Sequence, residues 1–145
     1  LYGLGFRLYR VPSKSMEPTI SEGSFQIGRL SDSYRHSLKR FDLIIYTAGP
    51  DRRSKHIKRV IGLPGETIAL PPAGLTINGV LVQLPKCIKL EDLVQGPSNF
   101  NKWQEGMVIP KDAIFVLGDN PLQSYDSRYE GPILLNQVVG KVEFQ

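Results

Sequence analysis

Glycine and proline break this chain at short intervals, and that punctuation limits its fold more than any other feature. With 14 glycines and 11 prolines in 145 residues, long helices have no room, because proline removes a backbone donor and glycine resists ordering. What lies between the breaks is short and strand-like. Residues 6–11 alternate apolar with polar, as a half-buried strand does. Residues 25–30, 67–70, 75–82 and 113–117 read as further short strands, and 137–144 alternates again. Asn78-Gly79, set between Thr76-Ile77 and Val80-Leu81, predicts a tight hairpin. Residues 41–46 are an apolar run, the pattern of a strand buried on both faces. Residues 54–63 predict a strand on which His56 and Lys58 share one face and Ile57 and Arg59 the other.

Residues 31–39 are polar and read as a loop, and 85–106 as a long excursion around Trp103 with one short helix near 90–94. Tyr2, Phe6 and Tyr9 suit core packing better than a belt at a membrane interface. The expectation is one all-β domain over residues 1–145. Its sheets are mostly antiparallel and packed as a partly closed sandwich or barrel, with little helix.

Composition removes several function classes. One cysteine and two histidines supply no zinc-ligand spacing, and Cys87 has no partner for an internal disulfide. Gly3-x-Gly5 has Leu8 where a dinucleotide fingerprint needs glycine, so neither metal nor cofactor is expected. The net charge is +4, with basic residues crowded over 52–59 and 35–40. Without aromatic interleaving this reads as a solvated face, and no nucleic acid is expected. No run of about 18 apolar residues is present to span a bilayer. Gly-x-Ser-x-Gly and Ser-x-x-Lys are both absent.

The stretch that carries chemistry is Pro12-Ser13-Lys14-Ser15-Met16-Glu17-Pro18-Thr19-Ile20. Two serines sit one residue apart, and the flanking prolines restrict the local backbone. A serine hydroxyl becomes a nucleophile when a base takes its proton and the backbone holds it still. Taken alone, the stretch is equally a surface turn.

Two later stretches are His56-Ile57-Lys58-Arg59-Val60-Ile61-Gly62-Leu63-Pro64-Gly65-Glu66 and Leu117-Gly118-Asp119-Asn120-Pro121-Leu122-Gln123-Ser124-Tyr125-Asp126-Ser127-Arg128. In this order, with Arg40-Phe41-Asp42 and its apolar run between, they resemble the sequence boxes of the type I signal peptidases. These are serine proteases with a Ser-Lys dyad. The resemblance runs from about Phe6 to the last strand, with Phe41 where the family has glycine.

The resemblance implies Ser15 as nucleophile and Lys58 as general base, with the Ser13 hydroxyl and the Ser15 N–H as the oxyanion hole. Ser124 would hydrogen-bond and orient the lysine. Asp126 and Arg128 would support the site by ionic contacts with Asp119 or Arg59. Val11, Pro12, Met16, Ile20 and Ile57 would line pockets for small substrate side chains. Pro121-Leu122-Gln123 departs from the family's usual Arg-Asp-Asn, although the spacing to Ser124 is kept. A lysine base must be neutral, which burial favours. His56 remains the rival base, because it shares the face, and Lys14 reads as a surface residue.

The implied function is removal of signal peptides after Ala-X-Ala-like sites, with exported precursors and a phospholipid surface as partners. Family members carry one or two membrane spans ahead of the first box. The resemblance therefore implies an anchor preceding this chain, with the catalytic part on the far side of the membrane, extracytoplasmic or in a thylakoid lumen. Two alternatives stay open: a Ser-Lys protease of the self-cleaving repressor type, and a catalytically silent relative that binds exported peptides or lipid.

Overall fold

Most of the expected strands form, in a computed structural model that describes residues 5–94 and 102–143. Tyr2, the end of the last strand at Phe144 and positions 95–101 of the long excursion lie outside the described residues. In chain order the strands are β1 (Phe6–Arg10), β2 (Phe25–Leu30), β3 (Leu43–Ala48), β4 (Ser54–Gly62), β5 (Thr67–Ala69) and β6 (Thr76–Ile77). They continue with β7 (Val80–Leu81), β8 (Met107–Val108), β9 (Ala113–Leu117), β10 (Ile133–Leu134) and β11 (Val138–Val142). Three single-turn helices, α1 (Leu90–Leu93), α2 (Lys102–Glu105) and α3 (Ser127–Glu130), complete the framework with a few 3-10 turns.

The larger sheet has the order β1-β2-β11-β3-β4-β9-β10 and the smaller β7-β6-β5-β8. Every described pairing is antiparallel. Neither sheet closes into a barrel. At Asn78 and Gly79 φ is 52° and 81°, the left-handed pair that a tight hairpin between β6 and β7 requires.

Three departures have local causes. The run expected over 41–46 enters the sheet only at Leu43, because Phe41 has φ 73°. That left-handed backbone costs a side-chain-bearing residue roughly 1–2 kcal/mol, and it is the conformation glycine takes freely at the position the resemblance assigned to it. Residues 31–39 are not all loop: Asp32–His36 winds into a 3-10 turn, capped where the Ser31 hydroxyl accepts from the Ser33 N–H at 3.2 Å. The long excursion also contributes to the core, since Trp103 stacks 5.2 Å from Phe115 and Leu93 is fully buried.

The apolar core falls into three clusters. Ile61, Ile68, Leu75, Trp103 and Phe115 join the two sheets, and Ile44, Tyr46, Val60, Val116 and Val138 cover one face of the larger one. Val11, Met16 and Ile20 pack onto Leu43 and Ile45. Val11 and Met16 are only 5% and 1% exposed, so burial pins the serine stretch to the sheet from both sides of Ser15.

Register leaves one edge of β4 open. β4 pairs with β3 from Ser54 to Arg59, but with β9 only from Arg59 onward. The Val60 N–H and C=O both bond towards β3, to Asp42 and Phe41. By strand alternation, Ile57 turns its own N–H and C=O to the opposite edge, where no strand lies. The serine stretch stands beside that edge.

Candidate active site

The backbone around Ser15 is clamped from behind by the turn that follows β9. The Asn120 N–H donates to the Ser15 carbonyl at 3.0 Å, and Asn120 Nδ2 to the Lys14 carbonyl at 3.0 Å. Gly118 is required here by space. A Cβ would lie 2.1 Å from Ser124 Oγ and 2.6 Å from the Ser15 carbonyl oxygen, closer than real contacts allow. The chain reverses at Gly118 with the nucleophile segment packed directly on its Cα.

On the other side Lys58 Nζ lies 3.0 Å from Ser15 Oγ and 3.2 Å from the Ile57 carbonyl at the open edge of β4. Lys58 is 3% exposed and Ser15 is buried with it. The Ser13 hydroxyl donates to Ser15 Oγ at 3.2 Å, while the Ser15 N–H points at Ser13 Oγ, 3.5 Å away. One hydroxyl, one amine and two hydrogen-bond donors thus converge, with Ser15 and Lys58 buried and Ser13 exposed.

Burial holds the Lys58 pKa below the ordinary lysine value, and the negative charges of Asp126 and Glu130 pull partly against it. Desolvation dominates. A lysine lowered in this way lends stability above its unfolded value of 10.5 and loses it as pH falls through the folded value. Lys58→Met should therefore be more stable than the parent at neutral pH, with the difference closing as pH rises towards 10.5. Urea midpoints across that range measure it, and a difference independent of pH would contradict a desolvated amine.

His56 occupies a different environment. Its ring lies 5.7 Å from that of Tyr46, across the β3–β4 ladder, and its pKa is lowered by burial and then by the Lys58 charge. Among the described residues no hydrogen bond joins it to Ser15.

The supporting charges are arranged otherwise than the resemblance implied. Arg128 and Asp126 pair with each other, Nε to Oδ1 at 2.9 Å and Nη2 to Oδ2 at 3.1 Å, and not with Asp119 or Arg59. Arg59 and Asp119 form a second two-pronged pair at 2.8 and 2.6 Å, to which the Thr19 hydroxyl adds a short bond on Asp119. The Ser124 hydroxyl donates to Asp126 Oδ2 at 2.7 Å, and no described hydrogen bond joins it to Lys58. Asp126 also accepts the Gly118 N–H at 2.9 Å, so it fastens the turn that carries Gly118 and Asn120. The Pro121-Leu122-Gln123 departure is absorbed: it forms a 3-10 turn, and Arg128 Nη2 holds the Pro121 carbonyl at 2.7 Å.

A groove of about 220 Å³ runs from the dyad between two extended segments, 9–13 on one wall and 55–58 on the other. Val11, Pro12, Met16 and Ile57 line it. Ile20 does not; it lies in the core with Leu43 and Ile45. Arg10, Ile45 and Lys55 line the groove and were not singled out from sequence, and Tyr9, read there as a core residue, lines it too. The register pairs Ile45 with Ile57, so strand pairing was the signal that could have found it. Glu130 was also missed; it accepts from the Tyr46 hydroxyl at 3.0 Å.

The profile of the family described as signal peptidase, peptidase S26, matches residues 2–145. A signal peptidase I of Bacillus caldolyticus is 37% identical over 145 residues, covering 97% of this chain and 79% of that protein. Signal peptidase I V of Bacillus subtilis is 36% identical over 140 residues, covering 92% and 82%. The crystal structure of a signal peptidase I from Enterococcus faecalis superposes with a TM-score of 0.56 at 31% identity, covering 73% of this chain and 97% of that one.

Proposed function

This chain belongs to the signal peptidase family, peptidase S26, and we propose that it is a signal peptidase I whose serine endopeptidase chemistry runs through Ser15 and Lys58. The observation that carries the residue assignment is the 3.0 Å contact between Lys58 Nζ and Ser15 Oγ, both buried. A neutral amine at that distance accepts the Ser15 proton as Oγ attacks the scissile carbonyl. The Ser15 N–H and the Ser13 hydroxyl turn to the oxyanion that results. The protonated Lys58 then delivers its proton to the leaving amine, and the same lysine activates water to release the acyl group.

The substrate is an extended peptide laid along the open edge of β4, where the Ile57 backbone groups face outward. Strand alternation sends its side chains at −1 and −3 towards the same wall. That wall is Val11, Met16, Ile45 and Ile57, apolar and close to the dyad. It fits a methyl group and offers no partner to a charge, whose unpaired burial costs several kcal/mol. Among the described residues no helix is long and apolar enough to cross a membrane. On this reading the catalytic part works at a membrane surface, on the side to which precursors are exported. Leu8 and Phe25, exposed on adjacent strands beside Arg10, support that placement.

Cleavage of a peptide library varied at −1, −2 and −3 tests the reading. Alanine-like residues should be selected at −1 and −3, with −2 nearly free. A preference for basic or aromatic residues at −1 would defeat both the pocket and the assignment.

A further inference from the structure

The groove changes character at its outer end. Ile57 and Ile45 are register partners that face it together, close to Lys58. Two residues before Ile57, on the same face of β4, stands Lys55; on the opposite wall Arg10 precedes Val11. Both cations line the groove and are exposed. Among the described residues neither has a carboxylate partner, whereas Arg40, Arg59, Arg128 and Lys141 each have one. Lys55 on one wall and Arg10 at the outer end of the other thus bring two like charges to one channel, and no described carboxylate neutralises them.

Taking the peptidase reading above as given, we propose that Lys55 and Arg10 form an outer subsite that selects an acidic side chain five residues before the cut. The spacing follows from the strands. Both walls run from the outer end towards the dyad, so a peptide cut at Ser15 lies parallel to them with its earlier residues outward. Positions −1, −3 and −5 face one wall, and each step of two residues advances about 6.6 Å. If −3 lies against Ile57, the same step brings −5 to Lys55. There the apolar surface ends, and the groove offers Lys55 and Arg10 to the incoming side chain. Exposed ion pairs are individually weak and screened by salt, so the selection is a modest bias in rate, read best at low ionic strength.

The experiment compares three otherwise identical Ala-X-Ala peptides with Glu, Gln or Lys at −5, on the parent and on Lys55→Glu and Arg10→Glu. Within the parent, kcat/KM should favour Glu over Lys by about three- to tenfold at low salt, shrinking as salt is raised. Lys55→Glu should invert that ratio, and Arg10→Glu should reduce it. A ratio unchanged by Lys55→Glu overturns the proposal. So does a charge effect seen only when anionic vesicles are added, which would assign the two cations to lipid. Fluorescence anisotropy with Ser15→Ala reads the same Glu-to-Lys ratio from binding alone. Failure of the peptidase reading shows separately, as no cleavage of the Gln peptide by the parent while the binding ratio persists.

Discussion

Replacing Lys58 by alanine should lower kcat/KM for an Ala-X-Ala peptide by roughly 10³–10⁴-fold, the scale of a lost general base, whereas His56→Ala should retain most of the activity. The two residues lie on one strand, two positions apart, and on residue chemistry alone histidine is the better base near neutral pH. Geometry reverses that preference. Lys58 Nζ reaches Ser15 Oγ at 3.0 Å, while His56 is stacked with Tyr46. Burial supplies the remaining requirement, because it lowers the Lys58 pKa and so raises the fraction of amine able to accept a proton. Activity should consequently rise with pH through a limb below the ordinary lysine value of about 10.4. Steady-state rates on the two variants and a pH profile of the parent decide it. Full activity in Lys58→Ala with loss in His56→Ala would restore histidine as the base.

The proposed Ser15–Lys58 dyad was legible only through the resemblance, because the serine stretch taken alone is equally a surface turn and Lys58 is one of several cations in a basic run. The strands were legible directly, since alternation and the Asn78-Gly79 turn are read within a few residues. What escaped was pairing across the chain. Ser124 was assigned to Lys58 by position, yet its hydroxyl meets the buried carboxylate of Asp126 two residues on. The resemblance set Asp126 and Arg128 against Asp119 or Arg59, and only the fold shows which carboxylate lies in each fork. Ile20 and Ile57 are the same residue type near the same site, but one lies in the core and the other faces the groove. No periodicity within a turn separates those outcomes. Phe41 shows the reverse case, where a side chain unsuited to φ 73° stands in the glycine position and the backbone keeps the conformation all the same.

The buried Arg128–Asp126 pair carries the largest expected effect on stability. Asp126 is fully buried and Arg128 nearly so. Two-pronged pairing, with Arg128 also holding the Pro121 and Ser124 carbonyls at 2.7 and 3.3 Å, leaves little of either group unsatisfied. Arg128→Ala would strand a carboxylate in the interior, a change that typically costs about 3–5 kcal/mol. Arg128→Lys should recover only part of it, since a single ammonium cannot grip both carboxylate oxygens and the Pro121 carbonyl. Removing both charges with Asp126→Asn and Arg128→Met should cost less than the single Arg128→Ala change, because no unpaired charge remains. The catalytic consequence is separate and has a definite sign. Asp126 already raises the Lys58 pKa against desolvation, and without Arg128 its negative charge would act on the lysine unopposed. The acid limb of the Arg128→Ala variant should therefore move to higher pH, under conditions where the protein is still folded. Urea denaturation of the parent and the three variants gives the stability order, and a pH–rate profile of Arg128→Ala gives the shift. A large loss of stability with an unmoved limb would make the pair a fastening for the turn alone, with no electrostatic hold on the base.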